Sequence, residues 1–200
     1  MRIFIIRHGE TTSDIDNLYG GDYDDHLTEK GVKQAEELAQ KLANHGIQII
    51  FSSSRIRARE TSDILKRTLN IDVEVVDEIR ERNGYGILTG TSKDEAKVNH
   101  PELVEQLKDY RNAIEGAEDY NSFTERVAKG FEHISNSKYD TVAVVTHGGP
   151  IRCLFRSVLK FGELSDKLAD CAVIELEKNG LNFKVVKTEG TTLVTAVYKN

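Results

Sequence analysis

Short runs of consecutive apolar residues alternate along this chain with longer stretches whose apolar positions recur every three to four residues. Residues 3–6, Ile-Phe-Ile-Ile, form the first run and 142–145 another, and apolar-rich runs each interrupted by one polar residue, Gln48 and Glu74, fall at 47–51 and 73–76. Four or five apolar residues bounded by polar ones suit strands buried on both faces. Between them, Val32, Ala35, Leu38, Ala39 and Leu42 keep a helical period after Leu27-Thr28, and Gly46 closes it. A second helix is predicted over about 55–69. Residues 93–135 are helical in pattern, with Pro101 starting a new helix, and Pro150 fits the first turn of a helix after the fourth strand. Residues 172–177 and 181–187 flank Asn179-Gly180, a two-residue hairpin signal. These elements predict an α/β protein of three layers, α/β/α. Its sheet is mixed but mainly parallel, has helices on both faces and ends in a C-terminal hairpin. One domain over 1–200 is expected, with a helical lid region at about 84–135.

Two of the predicted strands end alike. The first runs into Arg7-His8-Gly9-Glu10-Thr11 and the fourth into Thr146-His147-Gly148-Gly149-Pro150. Ligands of open α/β sheets gather at the carboxyl ends of strands, where a glycine lets backbone approach an anion. Each histidine alone could be a hydrogen-bonded strand-end residue; two beside glycines point to a site. The helix over 55–69 adds a third cue. At about 100° per residue, Arg55 and Arg59 share the solvated face with Asp63 and Lys66, while Arg57 turns inward with Thr61, Ile64 and Thr68. An inward guanidinium needs an anionic ligand or a structural carboxylate. Arg55 and Arg59 read as ordinary solvated residues.

Charge narrows the partners. With 27 Lys and Arg against 33 Asp and Glu, the net charge is −6 and the pI about 5.6. Neither nucleic acid nor an anionic membrane is expected, because both need a basic face. A small anion held by local arginines is compatible with an acidic protein. Two cysteines without paired spacing suit a reducing compartment, and residues 3–6 are too short for a signal-peptide or membrane segment. A cytoplasmic location is therefore expected, and a homo-oligomer is compatible with the sequence. No metal-ligand spacing stands out. His26, His45, His100 and His133 are scattered and read as surface residues. Asp22, Asp24 and Asp25 read as a solvated acidic loop, since alternating carboxylates alone are a poor calcium signal.

The ordered set of motifs resembles the histidine phosphatase superfamily, the phosphoglycerate mutase-like fold. Arg7 to Thr11 looks like its signature. Gly21 through Leu27-Thr28-Glu29-Lys30-Gly31 resembles its glycine-to-LTxxG segment, and residues 52–61 resemble SSxxxRAxxT. Glu81-Arg82-Asn83 with Gly86 and Gly90 resembles the catalytic-acid loop, Glu118 with Arg126 a later helix pattern, and residues 145–149 the second histidine motif. The resemblance implies a phosphatase acting on small phosphomonoesters, without metal or other cofactor, with a small phosphorylated metabolite as its partner. It implies His8 as the nucleophile that becomes phosphohistidine, with Arg7, Arg57, His147 and the backbone at Gly148 around the phosphoryl oxygens. Glu81 would protonate the leaving alcohol. Asp14, Gly21, Arg82 and Lys93 are implied as substrate contacts. Two departures matter. Gly86 falls five residues after Glu81 where relatives place a glycine four after, which keeps Glu78 as the alternative acid. Asp14 stands where relatives often have asparagine. Lys93 and Arg82 also resemble substrate residues of cofactor-dependent phosphoglycerate mutases, but those carry an adjacent arginine pair where this chain has Arg111 alone. A mutase is thus the alternative activity, and a non-catalytic phospholigand-binding regulator the alternative class.

Overall fold

The computed structural model describes residues 1–194. The chain forms β1 (Arg2–Arg7), α1 (Thr12–Ile15), α2 (Glu29–Leu42), β2 (Ile49–Ser52), α3 (Ile56–Leu69) and β3 (Asp72–Val75). Then follow α4 (Lys93–Asn99), α5 (Pro101–Gln106), α6 (Tyr120–Ser135), β4 (Thr141–Thr146) and α7 (Gly148–Cys153). A π-helical turn at Leu154–Val158 extends α7. The chain continues through β5 (Glu163–Leu164), β6 (Val173–Asn179), β7 (Asn182–Glu189) and β8 (Leu193–Val194).

Six strands make one sheet in the order β3-β2-β4-β1-β6-β7. The first four run parallel, and β6 and β7 are antiparallel. Alternation along β1 explains why its apolar run is continuous. Ile3 and Ile5 pack on one face with Phe123, Val127, Phe131 and Ile151 from α6 and α7. Phe4 and Ile6 pack on the other with Leu38, Leu42, Ala58 and Leu65 from α2 and α3. Successive strand residues point to opposite faces, so a strand sandwiched between helix layers must be apolar throughout. The expected three layers are therefore present.

Three expectations need correction. β3 is an edge strand whose residues are mostly exposed, not a buried one. The hairpin pairs Asn179 with Asn182, so its turn residues are Gly180 and Leu181. Gly180 takes φ +61°, the left-handed value that a primed hairpin turn needs at its first central position. The helical pattern over 93–135 breaks: after α5 the chain runs without a long helix to α6, where Asp119 caps the backbone amides of Asn121 and Ser122.

Candidate active site

Register brings the two histidines together. β1 and β4 are neighbours in parallel, and Arg7 lies opposite Thr146. His8 and His147 therefore both follow paired residues on strands that parallel pairing sets about 4.8 Å apart. Their ring centroids are 5.0 Å apart at 58°. β2 lies on the other side of β4 with Ser52 opposite Val145, which puts Ser53 at the same edge. Its Oγ is 2.7 Å from His147 Nε2.

Arg57, in the first turn of α3, reaches into the gap between the imidazoles. Its Nε–H points at both His8 Nε2 and His147 Nδ1, each at 3.2 Å. That donor assigns the tautomers. His8 presents a bare Nε2, with its Nδ1–H donated to its own Gly9 carbonyl at 2.8 Å; His147 keeps its proton on Nε2, against Ser53. Both rings are buried, at 5% and 0% exposure. Burial, followed by Arg57, holds each well below the ordinary imidazole value of 6.5. They are thus neutral bases at neutral pH. Neither free cysteine competes as a nucleophile, since burial raises the Cys153 thiol and pushes Cys171 up to about 12.

The rest of the guanidinium is anchored. Arg57 Nη1 donates to Asp25 at 2.8 Å and to the Tyr23 carbonyl at 2.5 Å, and Nη2 donates to the Gly21 carbonyl at 2.9 Å. The Asp25 side chain is 1% exposed and also accepts from Ser13 Oγ. The acidic loop is therefore not simply solvated: Asp25 is the buried partner of Arg57. Asp22 and Asp24 both pair with Arg55, whose side chain is only 23% exposed, so Arg55 is no ordinary solvated residue either. A buried arginine needs such compensation. Arg59 is exposed, as expected.

Local chemistry accounts for the motif spacings. Thr28 caps α2 by accepting from the Gly31 amide and donates to Glu10 at 2.9 Å. Gly31 sits so close to the loop that a Cβ there would lie 2.1 Å from the Glu10 carbonyl oxygen. The loop after His8 is thereby pressed against the start of α2. Thr61, one turn beyond Arg57, donates to the Arg57 carbonyl and accepts from the Gly9 amide. Arg7 is fixed by the Leu168 carbonyl at 2.5 Å and by Asp170 at 3.2 Å. Asp14 lies 3.7 Å from Arg7 and otherwise accepts from the Thr11 amide and hydroxyl, closing a turn.

Arg7, His8, Arg57, Glu81, Gly148, Asp14, Gly21, Arg82 and Lys93 all line one cavity of about 500 Å3, whereas His147, beside His8, is fully buried and does not itself line it. Glu81 Oε2 accepts from the Gly149 amide at 3.1 Å and Oε1 from the Arg82 amide at 2.8 Å. Glu78 instead faces Lys129 on α6, 3.5 Å away, and does not line the cavity. Gly86, at φ +45°, lies so close to the segment before α6 that a Cβ would meet the Glu115 carbonyl. Arg82 lines the cavity, but its donors are turned to backbone carbonyls between α5 and α6: Glu118 at 2.7 Å, Asn112 at 3.1 Å, and Tyr110. Arg126 holds the acid loop from behind. It donates to the carbonyls of Glu78 and Arg80 and pairs with both Glu118 oxygens at 2.8 and 2.7 Å. Arg126 sits between Phe123 and Val127 on the apolar face of α6, the same inward-charge signal that exposed Arg57 in the sequence. Ser53, Asp25, Asp170 and Arg152 escaped the sequence reading. Of the four scattered histidines, His26 and His133 are exposed, and His45 and His100 are partly buried. Among the described residues, no group of three or more His, Cys, Asp or Glu is placed to hold a metal. No helix among them is long and apolar enough to cross a membrane.

A mainly parallel sheet covered on both faces, with two imidazoles and two guanidiniums at its carboxyl edge, defines an α/β protein of the phosphoglycerate mutase-like class. The sequence profile of the histidine phosphatase superfamily (branch 1) matches residues 3–189, and the chain belongs to that family. It is similar to the adenosylcobalamin/alpha-ribazole phosphatase of Escherichia coli, 27% identical over 80% of this chain and 79% of that one. It is also similar to the 2,3-bisphosphoglycerate-dependent phosphoglycerate mutase of Parvibaculum lavamentivorans, 29% identical over 80% and 81%. Among solved structures, Bacillus stearothermophilus YhfR superposes with a TM-score of 0.82 at 25% identity, covering 94% of this chain and 96% of that one.

Proposed function

We propose that the chain hydrolyses small phosphomonoesters in two displacements through His8, without a metal. The observation that carries this reading is the Arg57 Nε–H held 3.2 Å from both His8 Nε2 and His147 Nδ1 in a cavity that Glu81 and Arg7 also line. A phosphoryl oxygen accepting from that donor would bring phosphorus over the bare His8 Nε2. The Nε2 lone pair attacks phosphorus and the ester P–O bond breaks. The leaving oxygen takes the proton of the Glu81 carboxyl. Water then attacks the phosphohistidine, its proton passes to the Glu81 carboxylate, and the P–N electron pair returns to His8. Phosphoryl transfer asks mainly for positioning and fixed positive charge, which Arg7 and Arg57 supply. Gly148 would add a backbone amide at the start of α7.

The relatives' names include both phosphatases and mutases at similar identity, so they do not choose the acceptor. Lys93 on the cavity wall favours the mutase as second reading. Against it, Arg111 is exposed, paired with Asp109, and does not line the cavity. Release of phosphate from an aryl phosphate in excess EDTA, run beside a phosphoglycerate mutase assay, tests the proposal. Sustained hydrolysis is expected; no release with or without added metal would leave a phospholigand-binding protein. The pH profile is a second readout. The attacking form is neutral His8, present above its depressed pKa and lost as pH falls through it. The enzyme's acidic limb in kcat/KM should therefore fall below pH 6.5 once substrate ionisation is allowed for. A limb above 6.5 contradicts the assignment.

A further inference from the structure

Beyond the phosphoryl site, the cavity is lined by one face of α7 and its π-helical extension. Gly148 and Gly149, then Arg152 and Cys153, then Arg156 all line it, a spacing of about one turn per step. Glu81 touches the first step through the Gly149 amide. Arg152 therefore stands one turn beyond the group that faces the leaving oxygen, on the leaving-group side.

Its surroundings are unusual for a structural arginine. Arg156, one turn further, is neutralised by Glu163 at 2.5 and 2.6 Å and lies over the Tyr110 ring at 3.7 Å. Arg152 donates only to the carbonyls of Leu164 at 3.2 Å and Asp166 at 2.8 Å. No carboxylate among the described residues comes within ion-pair distance of it. Glu163 is taken by Arg156, and the Asp166 carboxylate stays further off. Burial, then the like charge of Arg156, make Arg152 less basic than an ordinary arginine, against the opposing pull of the more distant Asp166 and Glu163 carboxylates. A half-buried guanidinium with no carboxylate in ion-pair contact is electrostatically incomplete. An anion entering the cavity would complete it.

We infer that the leaving group of the substrate carries a second anionic group, a carboxylate or a further phosphate, that is received by Arg152. This rests on the hydrolase reading above, but it concerns a different wall of the cavity. Charge-assisted hydrogen bonds of this kind are expected to change kcat/KM by about 10- to 100-fold.

The test compares esters that differ only at the far end. One pair is 3-phosphoglycerate and glycerol 3-phosphate, carboxylate against hydroxymethyl; the other is propane-1,3-diol bisphosphate and propyl phosphate. The wild type should prefer the anionic member of at least one pair by about 10- to 100-fold in kcat/KM, and the pair that shows it identifies the anion. Arg152→Gln should collapse that ratio towards one, and Arg152→Lys should retain most of it. A merely structural role would lower both members equally and leave the ratio intact. A wild-type ratio near one in both pairs, or an Arg152→Gln ratio equal to that of wild type, overturns the inference. If the wild type releases phosphate from none of the esters, including an aryl phosphate, the hydrolase reading fails instead. The same ratio is then expected in dissociation constants measured by calorimetry, and equal constants would end the inference too.

Discussion

His8→Ala should lose roughly 10⁴-fold or more of kcat on an aryl phosphate while still binding inorganic phosphate, the first measured by initial rates and the second by calorimetry. The loss is that large because no neighbour can replace the missing nitrogen. His147 is the other neutral imidazole, but its protonated Nε2 is held by Ser53 and its Nδ1 faces Arg57. Cys153 is a buried thiol and Cys171 a partly buried one, both with raised pKa values. Binding should survive because Arg7 and Arg57 take their orientation from other residues: the Leu168 carbonyl and Asp170 for one, the loop from Gly21 to Asp25 for the other. A variant within tenfold of wild type would mean that phosphate is transferred directly to water.

Glu81→Gln should divide substrates by leaving group. Alkyl phosphates, whose alkoxide needs a proton as the P–O bond breaks, should slow by about 10²- to 10⁴-fold, and aryl phosphates far less. Glutamine matches glutamate in size, but its NH2 cannot accept from an amide, so one of the two bonds from Gly149 and Arg82 is lost, a loss common to both substrate classes. The comparison thus reads proton supply with little change of shape. Equal losses on both classes would move the acid elsewhere. Glu78, which faces Lys129 on α6, is then a poor replacement.

The parts of this site that could be read in advance are those where sequence and geometry share one variable. An apolar run ending in a histidine places that histidine at a strand end, and helical phase alone turned Arg57 inward. Both placements hold in the structure. The buried partner of Arg57 was not legible in the same way. Asp22, Asp24 and Asp25 look alike in a loop, and only the meeting of that loop with α3 decides that Asp25 is buried while Asp24 is exposed. The segment between α5 and α6 misled for a related reason. Helical periodicity cannot register that Arg82 satisfies the backbone carbonyls of Tyr110, Asn112 and Glu118, which frees that segment from helix formation. Arg152 reads as an ordinary residue after Pro150 until the surrounding charges are known. In each case the missing information is a contact between distant segments.

The central claim is that phosphorus passes through a covalent bond to His8. Mixing the protein with a 32P-labelled phosphomonoester, quenching within milliseconds in alkali and mapping the labelled peptide tests it most directly. The account predicts a label on His8 that survives alkali, is lost in mild acid and is absent from His8→Ala. Turnover of the labelled ester with no label on His8 in the pre-steady state, or a label on another residue, would contradict it.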